Sequence, residues 1–328
     1  MTVSSTTLGP APRRGPRWRR LLQAREAALV ALVALVILVM TLWSPFFFSA
    51  ANFRAASIGM VPTGIIAVGM TYLLVSGSFD LSVGAVLALS GTILALLLAR
   101  GVPTPLAILL TAGAGALIGL ANGLLVTALG INPLVATLAT MSVARGLALV
   151  LTEGYSITGL PPSFGYVGSA AWLGIPLTVL IMVVIVIVAD LALRHTRLLR
   201  QLYYVGANET AARLSGIRVG LVRVSAYLAT SLMATLSGIL LASRLMAGTP
   251  TAGSGLELQV LAAAVIGGAS LSGGEGTVLG ALLGVVFVAL INNAMTMLAV
   301  SIYWQMVVTG IVLAMAVTLD RLVRHRER

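Results

Sequence analysis

The sequence predicts an all-α polytopic membrane protein of about ten transmembrane helices, with both termini in the cytoplasm. Three observations predict it. Of 328 residues, 59% are hydrophobic and only 9% are charged, whereas soluble domains carry about 25% charged residues. Apolar runs of roughly the 20 residues that a bilayer span needs recur along the whole chain. The basic residues, all arginine, gather in alternate connections between those runs, which is the positive-inside pattern.

Residues 1–26 form an Arg-rich tail holding Arg13, Arg14, Arg17, Arg19, Arg20 and Arg25. The first apolar run, 27–43, has the size of a signal-peptide core. It reads better as an uncleaved span, because Phe46–Phe48 are poor cleavage-site residues and spans follow throughout. Further runs lie near 58–76, 82–99, 105–129, 133–151, 174–193, 221–242, 257–272, 278–299 and 303–320. Gly and Ser interrupt the third and the eighth. Pro62 inside the second run predicts a kink or break. The inner loop 194–220 and the start of the next run carry Arg194, Arg197, Arg200, Arg213, Arg218 and Arg223. The tail 321–328 carries Arg321, Arg324, Arg326 and Arg328. The predicted outer loops keep only Arg54, Arg100 and Arg244, and the longest of them, 152–173, has none. The chain is thus a cytoplasmic tail, a single transmembrane domain over 27–320 and a short cytoplasmic tail. Topology explains the formal charge of +11, and nucleic acid is not needed as a partner.

The missing residue types exclude chemistry. Without cysteine there are no disulfides, thiolate nucleophiles or Cys metal sites. The two histidines, His195 and His325, sit beside arginines at span ends, so neither a His-rich metal site nor a Ser-His-Asp triad is expected. Without lysine there is no Walker A motif. If ATP drives this protein, a partner binds the ATP. No HExxH or GxSxG motif and no paired catalytic carboxylates point to an intramembrane enzyme.

The 27-residue inner loop is the most informative segment. Asn208 suits an N-cap, Glu209 suits the positive end of a helix, and Gly216 suits a stop. Gly206, Ala207, Asn208, Glu209, Ala211, Ala212, Gly216 and Ile217 therefore outline a two-turn helix with small residues on its surface, fit to dock into a groove on a partner. A plain connector helix would look the same.

Here the chain resembles the coupling loop of ABC importer permeases, in the branch serving ribose, xylose and related monosaccharides. The resemblance extends over Ser78–Gly84, Asn122–Thr127, Gly130–Pro133, Thr140–Ser142 with Arg145–Leu147, Val265–Gly274, Asn292-Asn293 and Tyr303–Gln305. Phe79 stands where that family usually has isoleucine, and Glu275 where a basic residue is common. Permeases for autoinducer-2 or nucleosides look similar. The resemblance implies a bacterial inner-membrane complex. A second permease copy, identical or a paralogue, forms the path. ATPase subunits carrying ATP and Mg dock on the loop, and an extracytoplasmic binding protein delivers the sugar. It implies no cofactor bound by this chain. An ion-coupled secondary carrier is the rival. It would need several mid-span carboxylates, and only Asp80 and Glu257 come close.

Polar groups at bilayer depth are functional candidates. For Asp80, capping the third run competes with lining the path. For Arg145, snorkelling to the outer interface competes, and for Glu257 a watery boundary position. Asn122, Asn292 and Asn293 suit either helix-to-helix bonds or sugar contact. A shift of 177 residues sets Asp80-Leu81-Ser82-Val83 on Glu257-Leu258-Gln259-Val260, and a shift of 170 sets Asn122 on Asn292. Spans two to five then repeat, inverted, as spans seven to ten, with Asp80 and Glu257 at opposite faces of the bilayer. A rival shift of 190, pairing Gly77, Leu81, Ser82 and Gly84 with Gly267, Leu271, Ser272 and Gly274, gives parallel halves.

Overall fold

The computed structural model describes residues 17–325. Arg13, Arg14, Arg326 and Arg328, which the positive-inside reading uses, lie outside the described residues. Fourteen α-helices lie among the described residues, and the only strands among them are a two-residue hairpin. The protein is an all-α, polytopic membrane protein. Helix α1 covers Arg17–Trp43, so helix already begins inside the predicted tail. Then come α2 (Ala50–Gly59), α3 (Val61–Val75), α4 (Val83–Ala99), α5 (Thr104–Thr127) and α6 (Pro133–Thr152). Residues 153–176 hold a 3₁₀ turn, the five-residue α7 (Gly165–Ser169) and the hairpin β1 (Ala171–Trp172) and β2 (Ile175–Pro176). After these come α8 (Leu177–His195), α9 (Arg197–Ala207), α10 (Glu209–Leu214) and α11 (Val219–Leu245). The chain ends with α12 (Leu256–Ile266), α13 (Val278–Met297) and α14 (Ile302–His325).

Each apolar run contains a helix, and the helices differ in length. Among the described residues, six helices are long and apolar enough to cross a bilayer by length and composition, or seven if α2 and α3 are one span bent by 42°. The bend falls at Met60, with Pro62 in the first turn of α3, where its missing N–H costs nothing. The third and eighth runs differ from expectation. Helix α4 has 17 residues and α12 only 11. At 1.5 Å per residue, α12 is about 16 Å long, about half the hydrocarbon thickness.

Contacts along α11, the central helix, give the directions. Helix α3 runs opposite to it: Ser237 Oγ donates to the Pro62 carbonyl, a methyl group on Gly69 would meet Thr230, and Arg223 reaches the Ser76 carbonyl. Helix α5 does the same, with Gly115 against Thr235, Gly119 against Leu228 and Gly123 against Val224. These glycines let backbones come close where apolarity gives no drive to associate. Helix α4 runs with α11: Gly91 faces Gly238, and Gly248, just past the end of α11, faces Ala95.

The chain therefore descends through α3 to the end of the molecule that carries α10. It turns back at residues 76–82 and starts α4 near the middle of α11. Helix α12 starts at the same middle level, where Gly253 abuts Gly84, and descends until Gly274 N–H meets the Val75 carbonyl at 2.9 Å. Helix α13 packs antiparallel on α12, with Gly284 against Ala263 and Gly280 against Gly267. Helices α3, α4 and α5 thus oppose α11, α12 and α13 pair by pair, as an inverted repeat demands. The expected separation of Asp80 and Glu257 does not follow. Both short helices, α4 and α12, begin inside the protein, so their first turns meet instead of lying at opposite faces.

Candidate functional site

The irregular segment 76–82 is mostly buried among the apolar helices, with Gly77 exposed and Phe79 half-buried; irregular backbone in such a place is tolerated only where protein satisfies it. Ser76, Ser78, Asp80 and Ser82 are all essentially inaccessible. Asp80 caps the entry to α4: Oδ1 accepts from the Ser82 N–H at 2.7 Å and from its hydroxyl at 2.6 Å. Asn122 on α5 donates from Nδ2 to Asp80 Oδ2 at 3.3 Å and to the Ser82 hydroxyl at 3.0 Å. Its Oδ1 accepts from Thr140 on α6 at 2.6 Å. One buried cluster thus ties the start of α4 to two neighbouring helices.

Glu257 lies in the first turn of α12, where the helix dipole favours a carboxylate. Its Oε2 is buried without a hydrogen-bond partner among the described residues and lies where a methyl group on Gly84 would fall. Arg145 does not snorkel. Its Nη1 donates to the Pro250 and Ala252 carbonyls, both at 2.8 Å, which fixes the chain just before α12, within electrostatic reach of Glu257. Asp80, Asn122, Arg145 and Glu257 are therefore gathered around the two half-helix starts. Two candidates are not. Asn293 on α13 exchanges hydrogen bonds of 2.8 and 3.0 Å with Asn52 on α2. Asn292 lines a small cavity with Ala262 of α12 and Val308, Thr309 and Val312 of α14.

At the α10 end, Asn208 Oδ1 accepts from the Ala211 N–H at 3.0 Å, and Gly216 adopts φ +80° where the helix stops. Glu209 is tied twice, to Arg213 at 2.7 Å and to Arg223 of α11 at 2.8 Å. The hydrogen bond from Arg213, helped by Arg223, holds its carboxyl below the usual carboxylate range. Ala207, Asn208, Ala211 and Gly216 are exposed and Ile217 is half-buried. Ala212 faces inward at 3% exposure. Gly206 is a point of close approach to the protein's own backbone: a methyl group there would strike the Val75 carbonyl oxygen and Gly274 N.

Several residues escaped the sequence reading. Leu214 projects from the tip of α10 at 85% exposure. Helix α9 was not foreseen; Leu199, Leu202 and Val205, at helical spacing and packed in the core, are the signal that could have found it. Arg223 and Tyr227, i and i+4 on α11, both touch the 76–82 segment.

Residues 54–317 match the family described as branched-chain amino acid transport system / permease component. The chain belongs to that family. The permease is 42% identical over 284 residues to the ribose import permease protein RbsC of Bacillus subtilis, covering 86% of this chain and 88% of that one. It is 38% identical over 281 residues to the Escherichia coli K12 protein of the same name, covering 84% and 88%. It is 33% identical over 287 residues to the L-arabinose transport system permease protein AraH of Escherichia coli K12, covering 88% of each chain. No solved structure matches. The permease is a transport component.

Proposed function

We propose that this permease is the membrane-spanning subunit of an ATP-driven importer for a monosaccharide in the bacterial cytoplasmic membrane. The observation that carries this reading is the 42% identity to a ribose import permease, which runs through most of both chains. In this reading two permease copies face each other. An ATPase subunit, which holds the ATP and Mg, seats the exposed Ala211 and Leu214 of α10 in a cleft, and a binding protein delivers the sugar at the opposite end. Asp80, Asn122, Arg145 and Glu257 lie where two half-helices start, the place at which broken helices offer polar groups to a solute in other transporters. Asn292 is kept as a path candidate on the α12–α14 side, and Asn293 is reassigned to holding α2 on α13.

The test is reconstitution of the permease with its ATPase and binding-protein partners in liposomes. ATP-dependent uptake of labelled ribose or another monosaccharide is expected, with no uptake of leucine. Uptake of leucine in place of sugar would overturn the substrate class. Ala211→Arg places a bulky cation on the exposed face of α10 and should abolish uptake while insertion stays normal. Unchanged uptake would remove α10 from the docking role.

A further inference from the structure

The site assignments leave Arg223 and Tyr227 without a role, yet both bridge the α10 end to the start of α4. Glu209 Oε2 of α10 pairs with Arg223 Nη1 at 2.8 Å. The same guanidinium donates from Nε to the Ser76 carbonyl at 3.4 Å. One turn further along α11, the Tyr227 hydroxyl donates to the Phe79 carbonyl at 3.1 Å. A phenol has one proton, so the Ser78 hydroxyl must be the donor in its bond to the Tyr227 oxygen. The next residue is Asp80, whose carboxylate holds the N-terminus of α4. Residues 76–82 have no helix or strand of their own. Their place is set by what grips them, and α11 grips them at both Ser76 and Phe79.

We infer that Arg223 and Tyr227 are positioning residues that carry a displacement of α10 to the buried start of α4. This rests on the reading of α10 as the ATPase-docking helix. When α10 tilts, Glu209 draws Arg223 and the first turns of α11. Arg223 and Tyr227 then shift Ser76 and Phe79 together, and Asp80 moves with the segment. Spatial intermediacy alone does not establish coupling, so the test must be energetic.

The experiment compares Arg223→Gln, Tyr227→Phe and the double variant in the reconstituted complex, reading sugar molecules moved per ATP hydrolysed. Tyr227→Phe keeps the ring in the core and removes only the hydroxyl. Each single change should lower that ratio by about fivefold or more, with ATPase subunits still co-purifying. The double variant should be no worse than the more damaged single, because the segment follows α11 only while both grips hold, so losing either one already uncouples it. Ser78→Ala leaves the Tyr227 hydroxyl its bond to the Phe79 carbonyl and should lower the ratio far less than Tyr227→Phe; an equal loss would overturn the grip at Phe79. Wild-type ratios in the singles would overturn the relay, as would losses that multiply in the double. So would a loss of ATPase attachment in Tyr227→Phe, which would mark a structural role. If Ala211→Arg also transports normally, the docking reading has failed. If Ala211→Arg is dead while Tyr227→Phe couples normally, only the relay has.

Discussion

Gly206→Ala tests how the coupling segment is seated. Gly206 lies in the last turn of α9, where that helix crosses the chain at Val75 and Gly274. A methyl group would stand 2.6 Å from Gly274 N and nearer still to the Val75 carbonyl oxygen, whereas ordinary contact begins at 3.4 Å. The backbones must part by at least about 0.8 Å, and no side-chain rotation can relieve a clash between backbones. Overpacking of this kind costs about 1–3 kcal/mol. The Gly274 N–H bond to the Val75 carbonyl is strained at the same time, for about another 0.5–1.5 kcal/mol. Alanine's advantage over glycine in a helix, about 0.5–1 kcal/mol, offsets part of this. Gly220→Ala is the control, because its methyl would meet only Thr127 Cβ at 3.9 Å. The assay is thermal unfolding of the purified chain in detergent. At about 2–4 °C per kcal/mol for a chain of this size, Gly206→Ala should lower Tm by several degrees and Gly220→Ala should hold or raise it. Equal Tm values for the two variants would refute the close crossing.

Other expectations use the same geometry. The cysteine-free chain allows single cysteines at exposed positions. Ser163→Cys should react with an impermeant reagent in intact cells and Arg200→Cys only once the inner face is opened; reaction of Arg200→Cys in intact cells would invert the topology. Asn293→Ala breaks a reciprocal pair with Asn52 and should cost about 0.6–2 kcal/mol without changing sugar uptake. Asn52 also donates to the Phe47 carbonyl, so the double variant Asn52→Ala/Asn293→Ala should lose less than the sum of the two singles, and an additive loss would deny the pairing. Glu209 has its folded pKa depressed, first by the Arg213 hydrogen bond. Its ties are thus present above its unfolded pKa and are lost only as pH falls through the lower folded value. A spin label at Ser215→Cys should stay immobile from pH 7 to about 5 and loosen only below the usual carboxylate range; loosening between pH 7 and about 6 would contradict the pairing.

What the sequence showed was what is local. The ends of α10 were legible because an Asn cap and a stop glycine act on their own neighbours. The ten apolar runs were legible because apolarity reports removal from water. It does not report whether lipid or protein does the covering, so α4 and α12 looked like complete spans. Pro62 pointed to a break, yet α2 went unseen because its half-buried partner, Asn293, is 241 residues from Asn52. Gly206 was read as a small surface residue because the backbone it touches is 131 positions upstream at Val75 or 68 downstream at Gly274. Arg223 and Tyr227 were passed over because the start of a span normally carries a basic and an aromatic residue at the interface.

The meeting of two half-helix starts explains why two carboxylates can sit inside the membrane domain at all. Each helix N-terminus carries about half a positive charge. Asp80 holds the entry of α4, and Glu257 sits in the first turn of α12. The two N-termini and the Arg145 guanidinium together supply about two positive charges against two negative ones. The balance is electrostatic, not a set of ion pairs: Arg145 spends hydrogen bonds on the Pro250 and Ala252 carbonyls, and Glu257 Oε2 has no hydrogen-bond partner among the described residues. Of the two carboxylates, Asp80 is locked by three hydrogen bonds with both oxygens engaged, whereas Glu257 takes only backbone hydrogen bonds from residues 255 and 257 and leaves Oε2 unpartnered among the described residues. If the sugar path proposed above runs through this junction, Glu257 Oε2 is the acceptor that a sugar hydroxyl would meet, and Asp80 is the group that keeps the junction in place.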